Sequence, residues 1–171
     1  FLIFVSIFKE DTMKKQLKEI KLGIGLGPIR FGMTKAEVKL ILGDPTNAET
    51  FSYSDSDEDL TECWDYQDLE LTLNFDEEED WRLTMISVTS KFYELQGVSL
   101  IGMNGEKLLA QLTKLNIGNV EIEDFSEEDI FDNELIEIED KSLSFWLNDD
   151  VLDEIQWTPF FIDEDTLDWP K

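Results

Sequence analysis

Three aspartates at alternate positions, Asp55, Asp57 and Asp59 in "SDSDEDLTECWDY", begin as a calcium-binding loop begins. The pattern then stops. Such a loop needs glycine at its sixth position and a bidentate glutamate at its twelfth, and this chain has Leu60 and Tyr66 there. The stretch is a solvated acidic loop on this reading, and no metal or other cofactor is assigned. Serine triads and cysteine–histidine dyads need an imidazole base, and the chain contains no histidine. "GIGLG", residues 23–27, lacks the Lys-Ser/Thr of a phosphate loop and is expected to be a turn. Paired carboxylates do glycosidase chemistry, but among 40 acidic residues no spacing singles out one pair. The chain is therefore expected not to be an enzyme. Cys63 is the only cysteine, so no intrachain disulfide or thiolate metal site forms, and its acidic and aromatic neighbours raise the thiol pKa.

Charge points to binding instead. Against 40 acidic residues stand 14 basic ones, a formal net charge of -26 over 171 residues. Residues 1–50 carry net +2 and residues 51–171 net -28, so the acidity belongs to the body of the chain. A field of that sign repels nucleic acid and anionic membranes and steers basic proteins toward the surface. The same surplus also serves solubility, and composition does not separate the two. Aromatic residues stand among these acids: Trp64, Trp81, Trp146 and Trp157, with Phe51, Tyr53 and Tyr66. Trp146 lies on the polar parity of an otherwise well-phased strand, opposite Phe145 and Leu147, where an aromatic anchor with a polar rim belongs. The expected partner-binding set is Trp146, Trp64, Tyr66, Tyr53, Trp157, Asp55, Asp57 and Asp59, facing a basic protein.

The elements that must position these residues are legible. Thr34 and Glu37 form an S/T-x-x-E capping box, with Met33 and Val38 spaced as a hydrophobic staple. Val38, Ile41 and Leu42 then share a stripe, and Gly43, followed by Asp44-Pro45, ends a helix of about two turns. Further on, Met103 precedes a second cap, Asn104, with Leu108, Leu109, Leu112 and Leu115 as the stripe. Downstream of each helix the period becomes alternating. Leu69, Leu71, Leu73 and Phe75 share one face, "DEEED" turns, and "WRLTMISVTS" returns. Leu143, Phe145 and Leu147 repeat the plan, with "NDD" as the turn and "VLDEIQWTPF" as the return. Segments 48–53, 60–66, 119–125 and 134–139 are further expected strands. Gly32 to Gly102 is a shift of 70 residues, and Leu73 to Phe145 a shift of 72.

"IRFGMTKAEVKLILGDP" resembles the signature of the superfamily shared by the β-lactamase inhibitor protein and the small outer-membrane lipoproteins. The second copy makes the tandem inhibitor the closer architectural likeness. The resemblance implies two helix-plus-four-strand units whose sheets together form a concave surface for gripping another protein. The chain departs from the inhibitor in lacking paired cysteines within each unit, and from the lipoproteins in lacking the acylated N-terminal cysteine. The expected fold is α+β in two tandem units, each a short helical segment packed on an antiparallel sheet of about four strands. The expected divisions are 1–21 as a leader and N-terminal segment, 22–95, 96–162, and 163–171 as a tail. The leader "FLIFVSIF" has seven apolar residues in eight, too few to span a bilayer, so no membrane insertion is expected. Location is cytoplasmic if Met13 is the true start and exported otherwise. The expected function is that of an immunity-type inhibitor occluding a basic toxin or enzyme through its sheet face. The alternative is a structural module of the envelope.

Overall fold

A computed structural model of the chain describes residues 11–54, 58–124 and 133–171. Helix α1 (residues 11–16) is followed by three short strands, β1 (Glu19–Lys21), β2 (Gly25–Leu26) and β3 (Ile29–Arg30). Helix α2 (Lys35–Leu42) then precedes β4 (Asn47–Ser52), β5 (Leu60–Tyr66), β6 (Leu71–Asp76) and β7 (Arg82–Val88). After β8 (Glu94–Leu95) come helix α3 (Gly105–Leu115), β9 (Glu121–Asp124), β10 (Asn133–Ile138), β11 (Leu143–Asn148) and β12 (Val151–Trp157). Two short strands close the chain, β13 (Phe160–Phe161) and β14 (Leu167–Asp168).

The main sheet is antiparallel and has eight strands in the order β4-β5-β6-β7-β12-β11-β10-β9. Its order runs outward from a central seam, β7 against β12, where Val88, Ser87 and Ile86 pair with Ile155, Gln156 and Trp157. Period-two alternation sends one set of side chains to the core: Leu71, Leu73 and Phe75 on β6, Leu83, Ile86 and Val88 on β7, Leu143, Phe145 and Leu147 on β11, and Ile155 and Trp157 on β12. Each is at most 1% exposed. Val38 of α2 and Leu108 and Leu112 of α3 belong to the same buried cluster, so the helices cover this side.

Each helix starts where its sequence specifies. The Thr34 side chain accepts from the Glu37 amide, while the Glu37 carboxylate accepts from the Thr34 amide at 2.8 Å, completing the capping box. The Thr34 amide, and the Thr34 hydroxyl donating to the same carboxylate at 3.1 Å, hold the Glu37 carboxyl below its ordinary pKa. Asn104 caps α3 by accepting from Lys107 N at 2.9 Å.

The Gly-Met dipeptide ahead of each cap has a structural task. Gly32 N donates to Leu83 O at 2.9 Å and Leu83 N donates back to Met33 O at 2.9 Å. Gly102 and Met103 make the same two bonds with Leu152, each at 2.8 Å. The preceding turn requires φ of 84° at Gly32 and 88° at Gly102, conformations that glycine adopts without the steric cost of a Cβ. The dipeptide thus ties each helix start to the last strand of the hairpin that follows it.

Several expectations need correction. Leu69 lies in a 3-10 turn, Gln67–Leu69, and not on β6. Trp81 sits in the β6–β7 turn with φ 57°, its ring 4.2 Å from the Lys35 ammonium, and not on a strand. Within the N-terminal segment, Leu17 and Ile20 are buried, and β1 pairs in parallel with β8. This builds a second sheet, β3-β2-β1-β8, from strands too short to show a period. "GIGLG" is a turn-and-strand segment within it, with Gly25-Leu26 as β2. Of the leader, residues 1–10 lie outside the described residues.

The seam carries the largest buried side chain. Trp157 is fully buried, and its indole N–H donates to Gly25 O at 3.2 Å, locking the small sheet onto the large one. Trp157→Ala should lower stability by about 3–5 kcal/mol in urea unfolding, through lost transfer energy and the cavity left behind. At Gly32, a Cβ would stand 3.0 Å from the Trp169 ring as well as at unfavourable φ. Gly32→Ala should therefore cost about 1–2 kcal/mol, read from the same urea midpoint.

Candidate functional site

The sheet face away from the helices is the surface left for binding. The alternation that buries the leucines puts Thr61, Cys63 and Asp65 of β5, Thr72 and Asn74 of β6, Ser87 of β7, Glu154 and Gln156 of β12, Ser144 and Trp146 of β11, and Glu137 of β10 on this side. It is predominantly polar and acidic.

Trp146 is held there by its neighbours. Half-buried between Leu135 of β10 and Glu154 of β12, it donates its indole N–H to Gln156 Oε1 at 3.1 Å. The Ser144 hydroxyl donates to Glu137 Oε1 at 3.2 Å, and the Ser87 hydroxyl donates to the Glu154 carboxylate across the seam. These are three separate side-chain bonds, each joining two neighbouring strands among β7, β12, β11 and β10, and one of them holds the ring. A groove of about 710 Å³ opens beside it, lined among others by Glu137, Glu139, Trp146, Phe161, Asp163 and Glu164. The C-terminal segment therefore borders the groove that contains Trp146. An aromatic face in a groove also lined by Glu137, Glu139, Asp163 and Glu164 suits a guanidinium or ammonium group, which gains from both ring and carboxylates.

At the other end, Tyr53 is 77% exposed and packs edge-on against Phe51, centroids 4.9 Å apart at 83°. Burial of its hydroxyl and the Asp76 charge raise the Tyr53 pKa, against a hydrogen bond from Asn74 that lowers it. Half-buried Cys63 has its thiol pushed up by burial and by Asp65 and Glu49, as its acidic neighbours lead one to expect. Exposed Asp59 raises the Glu78 pKa through a hydrogen bond and like charge.

The expected site residues separate accordingly. Trp146, Tyr53 and Asp59 are accessible; Asp55 and Asp57 lie outside the described residues. Three are corrections. Trp64, Tyr66 and Trp157 are 3%, 5% and 0% exposed and belong to the core. Trp64 packs on Phe75 at 4.7 Å and donates to Glu62 Oε1 at 2.7 Å; Tyr66 donates its hydroxyl to Gly43 O at 2.9 Å. The physical reason is parity: Glu62, Trp64 and Tyr66 share the helix-facing side of β5, so a carboxylate sits in the aromatic row and hides its phase. Burial pushes the Glu62 carboxyl upward, but hydrogen bonds from Lys35 and Trp64 outweigh it and leave the pKa low. Glu137, Glu154 and Gln156 were absent from the expected set, although their alternation with Ile136, Ile138 and Ile155 carried the signal.

Among the described residues no cluster of three or more His, Cys, Asp or Glu side chains has the arrangement of a metal site. Nor, among the described residues, is any helix long and apolar enough to cross a membrane. No protein-family model, no curated protein and no solved structure matches the chain.

The tyrosines supply a spectroscopic test of these placements. Burial and then Asp44 push Tyr66 up to about 12, and Tyr93, buried beneath Glu70, is raised further. A tyrosine with a raised folded pKa contributes stability that is full below the unfolded value of 10 and declines as pH rises toward about 12. In an alkaline absorbance titration at fixed temperature, Tyr53 should ionise first, and Tyr53→Phe should remove that first step while leaving the later ones in place.

Proposed function

We propose that the chain is built of two tandem helix-plus-sheet units and acts without catalysis, as an acidic protein-binding module of the immunity type. It occludes a basic toxin or enzyme through the open face of its sheet. In support of two units stand the matched bonds of Gly32-Met33 to Leu83 and of Gly102-Met103 to Leu152. So do the two left-handed residues that end 3-10 turns before β6 and β11, Glu70 and Ser142, both at φ 48°. They also support the resemblance to the tandem inhibitor.

The observation that carries the functional reading is Trp146, fixed by Gln156 beside Leu135 on a predominantly polar, acidic sheet face, while most apolar side chains of these strands lie on the helix-covered side. Such an arrangement supplies an aromatic anchor with a charged rim. The field of a chain at net -26 accelerates encounter with a cationic protein and selects against acidic ones.

The test uses immobilised full-length chain and an extract of the source organism, at low and at high salt, with the double variant Trp146→Ala, Glu137→Lys as comparison. Wild type should retain a cationic protein, weakening by about tenfold or more between ~0.05 and ~0.5 M salt as rim charges are screened. The double variant should retain less of the same protein. Retention of acidic proteins only, indifferent to salt and to the substitutions, would overturn the proposal.

A further inference from the structure

The two outer strands of the eight-stranded sheet are not alike. β9 places Glu121 and Glu123, both exposed, at one edge, where their charge opposes addition of another acidic strand or of a second copy of this chain. β4, the other edge, reads Asn47-Ala48-Glu49-Thr50-Phe51-Ser52, with one charge, no proline and no glycine. Its pairing with β5 runs through six consecutive residues without a bulge, so the strand presents a straight, unpaired outer edge. Residues 47–51 are all exposed. Phe51 and the 77% exposed Tyr53 stand at its end as the edge-on pair described above.

We propose that β4 is a docking edge at which an extended, basic segment of a partner protein adds as a further strand. The outward backbone groups of β4 supply the hydrogen bonds, as in strand addition generally. Side chains set the chemistry. Glu49 and Phe51 project to the same face, so an incoming strand is favoured when a lysine or arginine stands beside Glu49 and an apolar residue lies against Phe51 and Tyr53. The occupant is a basic partner and not a second copy, because two chains at net -26 repel each other on approach. The inference shares with the proposed function the basic character of the partner but uses the edge of the sheet, not its face.

The probe is a peptide as long as β4 with lysine and valine two positions apart on one face and threonine at the alternate positions, added to the isotope-labelled full chain at about 0.15 M salt, where exposed charges are screened beyond roughly 8 Å. Amide hydrogen exchange should slow by about tenfold at alternate positions of residues 47–52, because only every second amide faces the added strand. Proline is tolerated on an edge strand where the N–H faces solvent. Of Glu49→Pro and Thr50→Pro, the variant whose amide points outward should keep its near-ultraviolet dichroism and lose the peptide-induced protection. Protection confined to the sheet face around Trp146, or none at β4, overturns the edge proposal and leaves the face reading standing. Peptide-induced protection at β4 that stays intact in the variant Trp146→Ala, Glu137→Lys supports the edge proposal, whatever that variant does to salt-dependent capture. Self-association through β4 without peptide, seen by sedimentation, would assign the edge to a second copy and overturn the proposal.

Discussion

The seam between β7 and β12 is the constraint on which the rest of the molecule depends. Three residue pairs join the two four-stranded halves of the sheet, and their core-facing members, Ile86, Val88, Ile155 and Trp157, are fully buried. On the reverse side Ser87 donates to Glu154 over the same junction. Without that seam the sheet would have two more free edges, and Trp157 would lose both its packing and its bond to Gly25. The one contact thus holds together the strands, the small N-terminal sheet and the face that carries Trp146.

An eight-stranded sheet covered on one side leaves its other side to be stabilised by polar chemistry. Thr61, Asn74 and Ser87 are buried there at 3–5% exposure, and two of the three have side-chain partners that satisfy them: Thr61 donates to Asp76 at 2.6 Å and Ser87 to Glu154. Asn74 Oδ1 alone among described side-chain atoms of the buried class has no hydrogen-bond partner. Such hydrogen bonds stiffen the face, so the aromatic and acidic groups on it are presented in fixed positions. Pre-organisation of this kind reduces the side-chain entropy lost when a partner arrives.

Acidity and foldability do not conflict here because the acids are distributed by parity and by turn. "DEEED" occupies the β6–β7 turn, where Glu77–Glu79 form a 3-10 turn and Asp80 takes a left-handed conformation. Among the described residues few acids have basic partners: Lys35 with Glu62, Lys18 with Glu94 and Lys39 with Asp44 are among the ion pairs, the last two at 2.8 and 3.0 Å. Most negative charge therefore remains solvated and contributes to the long-range field instead of to local pairing.

Local rules determined the starts of α2 and α3, the approximate positions of the eight main-sheet strands and the Gly-Met recurrence from sequence alone, because capping residues, left-handed glycines and period-two leucines act within a few residues of themselves. β5 runs over Leu60–Tyr66 where a strand was expected, and Trp146 stands on the polar face its parity demanded. Tertiary structure alone decided which way β5 turned its aromatics, because "LTECWDY" mixes acids into both phases and its orientation follows from the helix and hairpin it packs between. It also decided the seam and the β1–β8 pairing: strands of two or three residues carry no periodicity, and partners 67 to 75 residues apart are chosen by what each must bury.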